Sequence, residues 1–153
     1  MPRTNQPNRG PRRPGSAEET AFLELLRTTD ALSRGLIGVL KAHALSSTQY
    51  NVLRILRGAP GGLPCGEIAQ RMITRDPDIT RLLDRLGKRR LIIRSRETFD
   101  RRTVTARITP AGLRLLARLD QPVQAAHRRQ LGHLGPKRLK TLIQLLEACR
   151  SKG

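Results

Sequence analysis

The hydrophobic period of this chain changes once and then changes back. Up to about residue 90 the leucines recur every three or four positions, as on one face of a helix, and the same spacing returns beyond Pro110. Between these stretches lie two short arms rich in β-branched residues, Leu91-Ile92-Ile93-Arg94-Ser95-Arg96 and Thr103-Val104-Thr105-Ala106-Arg107-Ile108, the second alternating apolar and polar. Six residues, Glu97 to Arg102, separate them, so the arms read as a two-stranded hairpin. A chain of this pattern is mainly α with a small β-hairpin.

The helices are announced by their starts. Ser16-x-x-Glu19 is a capping box, and Phe22, Leu25, Leu26, Leu32, Leu36 and Leu40 follow it at helical spacing, which predicts a first helix over 17–42. Ser46-x-x-Gln49 repeats the box before Tyr50, Leu53, Ile55 and Leu56, and Gly58-Ala59-Pro60-Gly61-Gly62 ends a second helix of 47–57. Gly66 to Met72 makes about two turns with Ile68, Ala69 and Met72 on one face. Asp76-Pro77 then places a capping carboxylate before a proline at the first helical position, opening a fourth helix that carries Ile79, Leu82, Leu83 and Leu86 to about residue 90. Pro110 opens a helix with Leu113, Leu115, Leu116 and Leu119, in which Pro122 is expected to produce a kink. Pro136 opens a last helix with Leu139, Leu142, Ile143, Leu145 and Leu146.

Two short helices joined tightly describe a helix-turn-helix, and a hairpin directly after one is a wing. With its leucines turned inward, the fourth helix turns Asp78, Thr80, Arg81, Arg85 and Lys88 outward. From Arg71 to Arg107 there are twelve basic residues against five acidic ones. Asp78, Thr80, Arg81 and Arg85 are therefore the candidates for base edges in a major groove, and Arg94, Arg96, Asp100, Arg101 and Arg102 for a minor groove or for phosphate. At the hairpin tip Asp100 can hold a guanidinium by a charge-assisted hydrogen bond and fix its direction.

Charge narrows the partner. Thirty Lys and Arg against twelve Asp and Glu give +18 over 153 residues, a balance that suits a polyanion, with nucleic acid first. A membrane is the other polyanion, but no apolar run reaches the eighteen or so residues of a span and the N-terminus has no signal-peptide apolar region, so the chain reads as cytoplasmic. Residues 1–15 hold four prolines, two glycines and four arginines, and read as a disordered basic tail that serves either as a solubilising leader or as a loose attraction for phosphate. The remainder divides into a first helix at 16–45, a DNA-binding region at 46–108 and C-terminal helices at 109–153. Cys65 and Cys149 lie far apart and read as reduced thiols. Cys65, near a helix start, reads as an ordinary residue there in preference to a redox sensor with a lowered pKa. His43, His127 and His133 stand in separate contexts, and no metal-ligand spacing, cofactor motif or phosphate loop occurs, so neither an enzyme nor a metal site is expected.

Five segments in order, Ser47-Thr48-Gln49-Tyr50-Asn51-Val52-Leu53, Gly66-Glu67-Ile68-Ala69, Ile79-Thr80-Arg81-Leu82-Leu83-Asp84-Arg85-Leu86, Asp100-Arg101-Arg102 and Ile108-Thr109-Pro110-Ala111-Gly112, resemble the MarR family of winged helix-turn-helix transcriptional regulators over about residues 17–150. The resemblance implies a homodimer built from the first and last helices, with Phe22, Leu25, Leu26, Leu139, Leu142 and Leu146 at the interface. It implies a pseudo-palindromic double-stranded operator, with the fourth helix in the major groove and Arg102, with Asp100, in the minor groove. It also implies a crevice for a small aromatic or phenolic effector. The sequence departs from the family pattern at Pro64, where a Thr or Ser cap is usual, and in the acidity of Asp76-Pro77-Asp78. A sequence-indifferent architectural DNA-binding protein would use the same charge without a unique operator. An RNA binder is the weaker reading, since 2% aromatic residues leave little to stack on bases.

Overall fold

The computed structural model describes residues 15–96 and 103–151. The chain divides into two compact units, residues 1–33 and 34–153. In chain order its elements are α1 (Ala17–Lys41), α2 (Ser47–Arg57), β1 (Leu63–Pro64), α3 (Cys65–Arg71), α4 (Ile79–Lys88), β2 (Ile92–Arg96), β3 (Val104–Ile108), α5 (Pro110–Leu131), a 3-10 turn (Gly132–Leu134) and α6 (Gly135–Arg150).

The first unit contributes the opening turns of α1. Its start is capped by Ser16, whose hydroxyl accepts from the Glu19 amide at 3.2 Å. Phe22, Leu23, Leu25 and Leu26 are all exposed on it, Phe22 by 61%.

The second unit holds the core. Leu40, Val52, Leu53, Leu56, Ile68, Leu83, Leu86, Leu116 and Leu119 are fully buried, and Tyr50 packs among them, which makes it a core aromatic. Truncating one such leucine to Ala typically costs about 2–5 kcal/mol. The Ser46 box forms in both directions, with the Gln49 amide donating to Ser46 Oγ at 3.1 Å and the Ser46 amide donating to Gln49 Oε1 at 3.0 Å.

Three expectations need correction or extension. The fourth helix starts at Ile79 and ends at Lys88, inside the limits read from sequence. Its cap is Asp78, whose Oδ1 accepts from the Arg81 amide at 3.0 Å, while Asp76 accepts from the Asp78 amide at 2.9 Å and closes a local turn around Pro77. The sheet has three strands in the order β1-β3-β2: Leu63 and Pro64 pair antiparallel with Ala106 and Thr105 on the far side of the hairpin. Gly62, at φ +86°, makes the turn into β1 against the Ala106 carbonyl, a conformation and an approach that suit a residue without Cβ. Finally, α5 continues through Pro122, its buried Leu119, Val123 and Ala126 spanning the position.

Helices α1 and α4 end in the same way. Leu45 N–H bonds to Leu40 O and Ala44 N–H to Lys41 O after α1. Leu91 N–H bonds to Leu86 O and Arg90 N–H to Gly87 O after α4. Both are Schellman motifs, but the left-handed position, where glycine is usual, holds Ala44 (φ 52°) in one and Arg90 (φ 56°) in the other. The second turn is tied forward. Thr109 Oγ1 donates to the carbonyls of Arg90 (2.7 Å) and Leu91 (3.0 Å), and accepts from the Gly112 amide at 3.1 Å to cap α5. Among the described residues no helix is long and apolar enough to cross a membrane.

Candidate nucleic-acid interface

The inward face of α4 is anchored by buried Leu82, Leu83 and Leu86, which leaves Thr80, Arg81, Arg85 and Lys88 exposed. The start of α4 lies beside the start of α2. Ser46, Thr48 and Gln49 from the α2 cap, Asp76 and Asp78 from the turn, and Arg81 and Arg85 from α4 line one groove of about 310 Å³. Each helix start carries a partial positive charge, and in this groove two of them lie beside two arginines and two aspartates, with Ser46 and Asp78 each capping one amide. Asp78 sits within this groove as the cap of α4, with its other oxygen 3.8 Å from Arg81 Nε. The part played by Ser46 and Thr48 is not visible in sequence, because it depends on the packing of α2 against α4.

A second concavity, about 380 Å³, lies between the wing base and the helix-turn-helix and is lined by Pro64, Cys65, Gly66, Thr80, Arg94, Thr103 and Val104. Arg94, read from sequence as a DNA-facing cation, is paired here with Asp84 of α4, Nη2 to Oδ1 2.5 Å. Arg96 is exposed one register further toward the tip, opposite Val104. Asp100, Arg101 and Arg102 lie outside the described residues. The Cys65 thiol donates to the Val104 carbonyl at 3.2 Å. Burial pushes its pKa up, with Arg94 opposing the shift by a smaller amount, so this thiol is held protonated, the opposite of what a reactive sensor needs.

The residues expected at a subunit interface form two separate sets. Phe22, Leu25 and Leu26 are exposed on the first unit. In the second, Leu139, Leu142 and Leu146 of α6 are half-buried, Ile143 and Leu145 are more than half exposed, and no residue of α6 is buried.

A short helix pair, a three-stranded wing against it and a polar, cationic outer face on the second helix define a winged helix-turn-helix protein. Residues 45–104 match the model of the MarR family. A solved structure of a MarR transcription factor from Planctomyces limnophilus is 42% identical, with 89% of this chain and 99% of that one covered and a TM-score of 0.70. The chain belongs to the MarR family. It is also similar to the homoprotocatechuate degradative operon repressor of Escherichia coli, 25% identical over 129 residues, covering 84% of this chain and 86% of that protein. Its fold is shared with a mutant MarR from Escherichia coli complexed with operator DNA, at 24% identity, coverage of 86% and 95%, and a TM-score of 0.77.

Proposed function

We propose that this protein is a sequence-specific double-stranded DNA-binding transcriptional regulator, a homodimeric repressor released by a small-molecule effector. The observation that carries the reading is the α4 surface. Thr80, Arg81 and Arg85 stand exposed on a helix whose other face is fixed in the core, and they do so in a chain of charge +18 that belongs to a family of regulators. In this reading Thr80, Arg81 and Arg85 meet base edges in the major groove, Asp78 accepts from cytosine amino groups, and the α2 cap meets the phosphates alongside. Arg96, Arg101 and Arg102 serve the wing, with Arg94 a weaker contributor because Asp84 already neutralises it.

Support for the dimer comes from apolar surface that none of the described residues covers. Leu134, Leu142 and Leu145 line an open groove on α6, flanked by Ile143, and the exposed Phe22 cluster supplies the other half of the interface. The repressor role draws on the similarity to an operon repressor.

Footprinting tests the reading. A two-fold dimer should protect a pseudo-palindrome with half-sites about 10 bp apart, and Arg81→Ala and Arg85→Ala should each weaken that site more than random duplex. Sedimentation equilibrium should give twice the 17.1 kDa chain mass, and Leu142→Glu should shift it toward monomer. Unbounded, sequence-independent protection would replace the regulator by an architectural DNA coater.

A further inference from the structure

Ile73 is 85% exposed, more than any other large apolar side chain among the described residues. Apart from Ile93 on β2, the other exposed ones lie on α1, α5 and α6, the helices that carry the proposed subunit interface. A single isoleucine in water needs no explanation by itself. Ile73 differs in being held where it is.

Its backbone is fixed from two sides. Met72, at the C-cap of α3, has an extended backbone (φ −66°, ψ 139°) and turns its own side chain into the core. Along extended chain successive side chains point to opposite sides, so Ile73 is sent outward. The Ile73 amide then donates to Asn51 Oδ1 of α2 at 2.8 Å, which ties the connection between α3 and α4 to a helix 22 residues earlier.

The same tie places Ile73 against the candidate DNA groove. Asn51 follows Thr48 by three residues, so the two share one face of α2, about 4.5 Å apart along its axis. Thr48 lines the groove, and so does Asp76, which is three residues beyond Ile73 and within about 11 Å of it along the chain. Ile73 therefore stands at the groove rim on the α2 side. Thr74 and Arg75 beside it are exposed, and Arg75 has no ion-pair or hydrogen-bond partner among the described residues, so an apolar tip sits next to a free cation.

We propose that Ile73 is a specificity-determining residue, an apolar contact for the 5-methyl group of thymine, and that Asn51 is the residue that positions it. In the major groove thymine alone offers an apolar group, and an isoleucine side chain has no donor or acceptor with which to read the other bases. Because the Asn51 bond already orders the backbone of Ile73, little freedom is lost when the contact forms. The inference rests on the reading of the protein as a sequence-specific DNA binder, and it gives that reading one base and one chemical group.

The test uses a duplex selected from a random pool by the full-length protein, with each thymine replaced in turn by deoxyuridine, which lacks only the methyl group. Fluorescence anisotropy gives the ratio of dT to dU affinity for the wild type, Ile73→Ala, Asn51→Ala and Asn51→Asp. A ratio compares two duplexes on the same protein, so a change in folded fraction cancels. In the wild type a thymine of each half-site should show a ratio of about fourfold, the worth of one buried methyl group. Ile73→Ala should abolish it. Asn51→Ala should lower it with Ile73 intact, whereas Asn51→Asp keeps the accepting oxygen and should retain it, although the added charge weakens binding to every duplex.

No dU effect at any thymine, in a protein that still prefers the selected duplex over random DNA, overturns the contact. An effect that survives in Ile73→Ala assigns the methyl group to another residue and overturns it too. Equal loss by Ile73→Ala on dT and dU duplexes makes Ile73 a deoxyribose contact and removes the thymine reading. An unchanged ratio in Asn51→Ala, or one lost equally in Asn51→Asp, overturns the positioning role. If the wild type binds selected and random duplexes alike, the regulator reading itself fails and the contact goes with it.

Discussion

Arg94 on β2 and Asp84 on α4 form an ion pair, Nη2 to Oδ1 2.5 Å, that braces the wing against α4. Both side chains remain partly exposed, so the pair contributes under about 1 kcal/mol to stability. Its larger effect is on charge, because in the proposed DNA complex the Arg94 guanidinium would meet the phosphates already half neutralised. Arg94→Ala should therefore weaken operator binding less than Arg85→Ala. Asp84→Asn should raise affinity for any duplex and steepen the salt dependence by up to about one unit of slope. Anisotropy titrations at several salt concentrations read both effects. Equal losses for Arg94→Ala and Arg85→Ala would mean that the pair opens on DNA.

The wing tip offers a test by sign. If Asp100 orients Arg102 toward a minor groove, Arg102→Ala should cost about 1–3 kcal/mol at the operator. Asp100→Ala should cost nearly as much although it removes a negative charge, and the double variant should lose little more than either single one. Tighter binding by Asp100→Ala on operator and scrambled duplexes alike would reduce the tip to a positive patch.

Cys65 and Cys149 should separate under a thiol reagent. Cys149 is exposed, whereas the Cys65 thiol is half-buried, bonded to the Val104 carbonyl and shifted up by burial. Ellman's reagent at neutral pH should therefore modify Cys149 first. The raised pKa also fixes a sign for stability. The folded chain keeps the Cys65 proton to higher pH than the unfolded chain does, so this contribution is complete below the ordinary thiol value and is lost as pH rises through the folded one. Cys65→Ala should flatten the alkaline fall in melting temperature. An unchanged slope in that variant would contradict the assignment.

Two backbone positions should respond in opposite directions. Ala44 occupies a left-handed helix-end position that glycine adopts without strain, so Ala44→Gly should stabilise the fold by about 1 kcal/mol in urea denaturation. At Gly112 a Cβ would fall against the Leu91 carbonyl oxygen and the Ile108 side chain, and the backbone on both sides is held by Thr109. Gly112→Ala should destabilise by about 1–3 kcal/mol. Loss of stability in the first variant would mean that the chain entropy glycine adds to the unfolded state outweighs the strain it relieves at φ 52°.

Local signals were the readable ones. The Ser46 and Gln49 box, the Leu82, Leu83 and Leu86 stripe and the β-branched arms each act within a few residues, so their spacing on the page is their spacing in the fold. The start of α4 was misplaced because Asp76 and Asp78 bracket Pro77 and either can cap a helix; the turn closed by Asp76 leaves the cap to Asp78. β1 is two residues long, too short for any periodicity, and exists only because β3 offers it a free edge. The Asp84 and Arg94 pair joins residues from different elements, and nothing local marks such neighbours. For Asp78, Thr80, Arg81 and Arg85 the sequence named an outward face, but it did not reveal that α2 contributes the wall beside them.

The knot at Thr109 has a mechanical consequence. One hydroxyl grips the last carbonyls behind α4 and the first turn of α5, and Gly112 lets the two backbones close to contact. The 22 residues of α5 then extend about 33 Å from that joint. Because one hydroxyl and one glycine join the chain leaving α4 to the first turn of α5, a single substitution at Thr109 would loosen the exit of one helix and uncap the other at the same time.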